Sequence, residues 1–354
     1  MASASVLCIG EILWDNLANQ LGKSLAEVID WTSYPGGAPA NVACALMKLG
    51  TAAGFLGCVG QDESGAELVT LLKSLDVNIE GLQQHPTAPT RKVYVTRTEG
   101  GDRTFAGFGK HDTAEFADAY LSAAALPESL FVGVQYLVTG TLSLAYPKSR
   151  EALYRAIALA QQQGTKIMVD VNWRPVFWSS AETAKPLIAE VLSQADFIKL
   201  TDEEAEWFFG SSDPDSIVAA YPQVQGVLIT AGEKGCSYWL RADPEQIKSK
   251  QIKSKQINSE QANSEQINSE QVSRGDIPAF SVKVVDTTGA GDAFLAGFLH
   301  QLVAHKPNLS DPAQAQQVVR YASAVGALTT LDAGAIAAQP TPQAVDEFFQ
   351  SAGN

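Results

Sequence analysis

The sequence predicts an α/β protein organised around a mainly parallel sheet covered on both faces by helices, with a smaller β element beside it. The first observation is a rhythm. Strand-like runs near residues 135–139, 166–170, 196–200 and 226–230 alternate with helical stretches at 147–162, 182–194 and 202–209. The second lies near the N-terminus, where an apolar strand from Ser5 to Ile9 precedes a helical pattern from Val42 to Leu49, stopped by Gly50. A further strand from Ala53 to Val59, closed by Gly60, follows. The third departs from that rhythm: residues 91–97 and 103–108 read as a hairpin turning at Glu99-Gly100-Gly101-Asp102.

At 354 residues, 45% hydrophobic and 18% charged, the chain can bury one large core or two modest ones. Its net charge of −14 argues against nucleic acid or an anionic membrane as a partner. No apolar run approaches the ~18 residues of a spanning helix, and the N-terminus lacks a basic region followed by a signal core, so a cytoplasmic setting is expected. Cys8, Cys44, Cys58 and Cys236 show no metal spacing and sit in apolar contexts, as reduced core residues do. His85, His111, His300 and His305 are scattered, without the spacing of a metal site or a serine-type triad.

The most informative segment is Val284-Val285-Asp286-Thr287-Thr288-Gly289-Ala290-Gly291-Asp292-Ala293-Phe294. Residues 280–285 read as a short buried strand, and from Ala290 the apolar positions Phe294, Ala296, Phe298 and Leu299 suit a buried helix. Gly289 and Gly291 allow a sharp turn and close approach to a ligand, while the unpaired N–H groups of the first helical turn favour an anion. Asp292 stands in that turn, where it could take a proton from an attacking hydroxyl or simply complement the helix dipole. Two other phosphate motifs fit poorly. A dinucleotide fingerprint needs a glycine where Phe294 stands, and a P-loop ending in Gly22-Lys23-Ser24 needs one at Leu17.

A second constellation precedes it. Gly10-Glu11 closes the first strand, Asp15 follows just beyond, and Gly36-Gly37-Ala38-Pro39-Ala40-Asn41 leads into the next helix. Asp15 offers acceptors and Asn41 both donors and acceptors, which suits a polyhydroxyl ligand. Each also suits an ordinary turn or helix cap.

Together these residues resemble a known family. Gly36-Gly37-x-x-x-Asn41-x-Ala43, with Gly50 and Gly60, is similar to the first signature of the ribokinase-like (PfkB) sugar kinases, and Asp286-Thr-Thr-Gly-Ala-Gly-Asp292 to the second. The resemblance extends through Gly140-Thr-Leu-Ser-Leu, Asp170-Val-Asn172-Trp-Arg174, Glu203-Glu204, Thr230-Ala-Gly232-Glu-Lys-Gly235 and Gly334-Ala-Ile336. It covers nearly all of the chain outside residues 244–276, and within the family it is strongest to the fructokinases.

The resemblance implies a three-layer α/β/α ribokinase-like fold with a small β lid formed from strands near 28–35 and 91–108. It implies ATP-dependent phosphorylation of a sugar hydroxyl, with Asp292 as catalytic base and the backbone amides of Gly289, Ala290, Gly291 and Asp292 as an anion hole. Asp15, Gly36, Gly37 and Asn41 map onto sugar-binding positions. Thr230, Gly232 and Gly235 map onto the nucleotide site, and Glu204 onto a glutamate that organises Mg2+ through water. Ribokinase-type members carry asparagine where this chain has Thr201. Asp286 and Thr288 resemble positions beside a monovalent-cation site, which implies K+ activation. Arg174 and, on the lid, Phe105 are expected to touch the substrate, with Arg103 and Phe108 as further lid candidates; an ion pair is the structural alternative for Arg174. D-Fructose phosphorylated at its 6-hydroxyl is the expected reaction. Another neutral sugar, 2-keto-3-deoxygluconate, or a catalytically silent binding or scaffold protein are the alternatives. A monomer or a homodimer formed through the lid is expected.

Residues 246–273 form a near-repeat of five, Gln-Ile-Lys-Ser-Lys giving way to Gln-Ile-Asn-Ser-Glu. Five residues advance a helix by about 500°, so its isoleucines spiral and build no apolar face. The stretch 244–276 is therefore read as a disordered surface insertion, with a partner-binding arm as the alternative, between strand-like runs at Ser237 to Leu240 and Ile277 to Val285.

Overall fold

The computed structural model describes residues 4–99, 103–242 and 272–351. The chain opens with β1 (Val6–Ile9), β2 (Leu13–Leu21), β3 (Trp31–Gly36), α1 (Ala38–Lys48), β4 (Ala53–Gly60), α2 (Glu63–Ser74) and β5 (Leu82–His85). It continues through β6 (Lys92–Arg97), β7 (Arg103–Gly107), β8 (Tyr136–Thr139), α3 (Pro147–Gln162), β9 (Lys166–Asp170), α4 (Ala181–Leu192) and β10 (Phe197–Thr201). The remaining described elements are α5 (Asp202–Phe209), α6 (Pro214–Ala220), β11 (Gly226–Thr230), β12 (Cys236–Arg241), β13 (Val272–Ile277), α7 (Ala290–His305), α8 (Pro312–Thr329) and α9 (Pro342–Ser351).

Nine strands form one sheet in the order β13-β12-β11-β10-β9-β8-β1-β4-β5. From β11 to β5 every pairing is parallel, and β12 is antiparallel to both of its neighbours. Side-chain alternation lets each inner strand supply two cores. Val6, Cys8, Phe55, Val138, Met168, Phe197 and Leu228 face α1, α2, α7 and α8, whereas Leu7, Ile9, Leu56, Leu137, Ile167, Ile198 and Val227 face α3, α4 and α6. Both faces are covered because the strands are apolar on both, which is the three-layer arrangement the rhythm predicts. None of the helices among the described residues is long and apolar enough to cross a membrane.

A second sheet, ordered β3-β2-β6-β7, contains the expected hairpin, with Arg97 opposite Arg103. Its root is pinned by a buried ion pair. Arg91, fully buried one residue before β6, donates to Asp118 Oδ2 at 2.6 Å and Oδ1 at 2.9 Å, and to the Thr113 carbonyl at 2.9 Å. The rings of Phe116, Tyr146, Phe177 and Phe108 surround its guanidinium at 4.6–5.7 Å. A bidentate, aromatic-lined site of this kind suits arginine's planar fork and would not accommodate lysine equally.

Two expectations need correction. Residues 280–285 form no strand, and Val284 and Val285 are exposed. The edge position is already taken by β13, and Pro278, which lacks an N–H, ends that strand. The expected insertion also ends earlier than residue 276, because residues 272–276 pair with β12, Val272 opposite Arg241. Residues 244–271 lie outside the described residues, as does the turn at 100–102.

Removing Asp118 would strand a buried guanidinium, so Asp118→Ala should lower unfolding free energy by about 3–5 kcal/mol in chemical denaturation. Because Arg241 and Val272 are cross-strand partners, replacing residues 244–270 with a short turn should leave the melting temperature within a few degrees of the parent chain. A large drop would show that the segment contributes to the fold.

Candidate active site

A cavity of about 1330 Å3 opens between the two sheets and along the carboxyl ends of the parallel strands, where open α/β sheets bind ligands. It is larger than the ~300–1,000 Å3 that one small ligand occupies, so it has room for two. One half is walled by the second sheet, through Asp15, Leu17, Tyr34, Val93, Val95, Arg103 and Phe105. The other half lies among Thr230, Gly232, Gly235 and the 279–284 segment.

Asp292 sits where the halves meet, in the first turn of α7. Asn41, in α1, donates from Nδ2 to Asp292 Oδ2 at 2.8 Å. Burial and the charge of Asp170 raise the Asp292 pKa from 3.8 to about 6, against the opposing effects of Asn41, Lys199 and Arg174. Gly289 adopts the left-handed conformation at φ 78°, and a Cβ there would lie 2.6 Å from that of Ala335. Only glycine therefore lets the turn pack on the 334–336 loop. The turn lines the cavity, but the expected anion-hole amide of Ala290 instead closes the turn on the Thr287 carbonyl at 3.2 Å.

Asp15 faces the same cavity from β2. Burial raises its pKa to about 6, although Arg103 and Arg174 act to lower it. Gly37, at φ 102°, has no room for a Cβ: the Ile12 Cα would lie 2.9 Å away. Glu11 fixes this approach by accepting a hydrogen bond from Ala38 N–H at 3.0 Å, at the start of the helix that carries Asn41. Burial pushes the Glu11 carboxyl up to about 7.

Asp286 has the opposite environment. Burial acts to raise its pKa, but hydrogen bonds from Thr288, Gly334 and Arg103 outweigh it and hold the value near 2. Arg103 Nη1 lies 3.0 Å from Asp286 Oδ1 and donates to Thr288 Oγ1 at 2.7 Å, so the second sheet is tied directly to the glycine-rich turn. A monovalent cation at these two side chains would compete with that guanidinium for the same oxygens.

Glu204 reciprocally caps α5: its Oε2 accepts from Thr201 N–H at 2.8 Å, and Thr201 Oγ1 accepts from Glu204 N–H at 3.1 Å. Its Oε1 accepts from Trp173 N–H at 2.6 Å. With one backbone donor on each oxygen, the carboxylate keeps further lone pairs, a donor set that suits water-mediated contact with Mg2+. Thr201 thus has a definite role as helix cap although it is not asparagine.

Of the expected site residues, Asp15, Gly37, Asn41, Phe105, Arg174, Glu204, Thr230, Gly232, Gly235, Asp286, Thr288, Gly289, Ala290, Gly291 and Asp292 all line this cavity. Gly36 does not line it. A Cβ at Gly36 would collide with the Asp15 carboxylate, so the residue admits Asp15 rather than contacting a ligand. Arg174 donates from Nη1 to the Trp173 carbonyl at 2.9 Å, and its charge reaches Asp15 and Asp292. Glu11, Asp170 and Lys199 belong to the site without a role legible in the motifs. A lysine inside the otherwise apolar run Phe197–Leu200 was the available signal, since a strand covered on both faces buries such a charge only with a partner.

Residues 3–342 match the family described as pfkB family carbohydrate kinase. The chain belongs to that family. It is 34% identical over 343 residues to fructokinase-2 of Solanum lycopersicum, covering 96% of this chain and 94% of the relative. It is 32% identical over 353 residues to fructokinase-1 of Oryza sativa subsp. japonica, covering 99% of each. Among solved structures, the ATP-bound fructokinase of Xylella fastidiosa superimposes with a TM-score of 0.79 at 25% identity, covering 98% of both chains. A Vibrio cholerae O395 fructokinase double mutant with fructose, ADP and potassium ion bound gives 0.75 at 25% identity, again covering 98% of both. The pfkB chain described here thus shares a ribokinase-like α/β fold with these kinases.

The raised pKa of Asp292 has a consequence for stability. Its folded value lies above its ordinary one, so the folded state holds the proton more tightly, and stability falls as pH rises from about 4 to about 6. Asp292→Asn removes this penalty. By differential scanning fluorimetry it should match the parent near pH 4 and exceed it at pH 8, by up to about 3 kcal/mol.

Proposed function

We propose that this pfkB-family chain is an ATP-dependent fructokinase that transfers the γ-phosphoryl group of ATP to the 6-hydroxyl of D-fructose. The observation that carries this reading is the Asn41–Asp292 hydrogen bond. It supports a reading in which a buried carboxylate stands between the sugar half of the cavity and the glycine-rich turn that also lines it. The fructokinase relatives supply the choice of sugar.

In this reading Asp15 and Asn41 hold sugar hydroxyls and orient the 6-hydroxyl toward Asp292. Asp292 accepts its proton as the O–P bond forms, and the pKa near 6 leaves it ionised at neutral pH yet basic enough to act. The amides of Gly289, Gly291 and Asp292 take up the charge on the phosphoryl oxygens. Positioning and preorganised charge are the larger part of catalysis in phosphoryl transfer. Thr230, Gly232 and Gly235 border the nucleotide. Mg2+, oriented through water by Glu204, would neutralise phosphate charge. The second sheet acts as the lid, with Phe105 and the Arg103 bridge to Asp286 and Thr288 excluding water from the acceptor position. Asp286 and Thr288 border any monovalent-cation site, so K+ would act beside the Arg103 bridge.

Arg103 and Arg174 favour one second reading. Their charges converge on Asp15, and a carboxylated sugar such as 2-keto-3-deoxygluconate could engage them.

A coupled ADP-release assay over neutral sugars and sugar acids separates these readings. Fructose should give the highest kcat/KM, with activity falling tenfold per pH unit below about pH 6 as Asp292 protonates. A preference for sugar acids would establish the second reading. Absence of any sugar-stimulated ADP release would leave a binding or scaffold role.

A further inference from the structure

Lys199 is a buried ammonium in the middle of β10, its side chain only 6% exposed. Among the described residues its one hydrogen-bond partner is Asp170 Oδ2, at 2.9 Å on the adjacent strand β9. An ammonium has three donors, so two remain. The other Asp170 oxygen, Oδ1, is buried without a partner. An ion pair selected only to join two strands would be expected to satisfy both groups, since desolvating them is costly. The direction in which Lys199 extends accounts for the imperfect pairing. The lysine lines the cavity, and a Cβ placed on Gly291 would come within 2.9 Å of its Nζ. Gly291 is therefore glycine on the side that faces this cation, as well as for the turn. Asp292 and Glu204 both sense the charge.

We propose that Lys199 is a catalytic residue of the phosphoryl-transfer step, its ammonium contacting an oxygen of the transferring group across the gap left open by Gly291. The inference rests on the kinase reading given above and adds a side-chain cation to its amide nest. In the step, the 6-oxygen forms its bond to the γ-phosphorus, and its proton passes to Asp292. The bond from that phosphorus to the bridging oxygen breaks, and its electron pair leaves with ADP. Charge shared among the phosphoryl oxygens is met by Lys199 from one side and by the amides from the other. Asp170 keeps the lysine protonated and aimed, which makes it a positioning residue.

The test compares wild type, Lys199→Arg, Lys199→Met and the neutral pair Asp170→Asn with Lys199→Met. The double variant leaves no buried carboxylate unpaired, so it guards against loss of fold. Two quantities are read: kcat, and the affinity for ADP with aluminium fluoride and fructose set against that for ADP alone, by calorimetry. Lys199→Met and the double variant should lose about 10²–10³-fold in kcat and a similar factor in affinity for the aluminium fluoride complex. ADP and fructose should still bind within about threefold of wild type. Lys199→Arg, which keeps the charge, should retain more activity than Lys199→Met. A folded double variant with wild-type kcat and analogue affinity overturns the proposal. So does an equal loss of affinity for ADP alone, which marks a structural role. A wild-type protein without turnover on any sugar would instead overturn the kinase reading, and this proposal with it.

Discussion

The bond between Asn41 and Asp292 spans 251 positions of sequence and is the contact on which the geometry of the cavity depends. It joins α1, which continues from the second sheet, to α7, which begins at the glycine-rich turn. Each helix start is shaped by backbone that only glycine tolerates: Gly37 at φ 102° and Gly289 at φ 78°. Glu11 holds the first start through Ala38, and Asp286 holds the second by accepting from Thr288 and from Gly334. The two carboxylates differ in consequence. Asp286 is surrounded by donors and stays ionised, whereas Glu11, more deeply buried with fewer donors, is pushed to about 7.

Electrostatics gives the site its asymmetry. Asp15, Glu11, Asp170 and Asp292 place several acidic groups around one low-dielectric cavity, and their mutual repulsion adds to burial in raising the pKa values of Asp15, Glu11 and Asp292. Lys199, Arg174 and Arg103 offset that repulsion from three different elements. None of the three stands in the first turn of α7, so that turn carries a carboxylate and amides while its counter-charge arrives from neighbouring strands and loops. Holding repelling carboxylates in one buried cavity costs fold stability, which is the usual relation between preorganised charge and stability.

The aromatic enclosure of Arg91 and the pairing of β6 with β2 together make the β6–β7 hairpin a defined wall. An isolated hairpin is marginal in water. Here β6 leaves a fully buried guanidinium paired with Asp118, and β7 is held at its start by Arg103 on the glycine-rich turn. Phe108 links the two anchors, with Arg91 on one side and Phe105 on the other. The root is thus dry and strongly held, while the Arg103 end, 44% exposed, is open to water and free to respond to ligands.

Most of the parallel sheet was legible in the sequence because period and turn residues are local properties. The runs at 135–139, 166–170, 196–200 and 226–230 correspond to β8 to β11 within a residue or so at each end. The reading failed at 280–285, where an apolar run looked like a strand. Whether such a run is a strand depends on a free sheet edge, and β13 had taken it. The sequence by itself determined the two glycine motifs, their order, and the acid and amide that they carry, because φ restrictions and helix starts are written in neighbouring residues. Only the tertiary structure decided that Asn41 meets Asp292, that Arg103 sits on Asp286, and that Lys199 pairs with Asp170 beneath Gly291. Those partners lie 251, 183 and 29 positions apart (292 − 41, 286 − 103 and 199 − 170), and no local pattern encodes which buried charge a distant one will face.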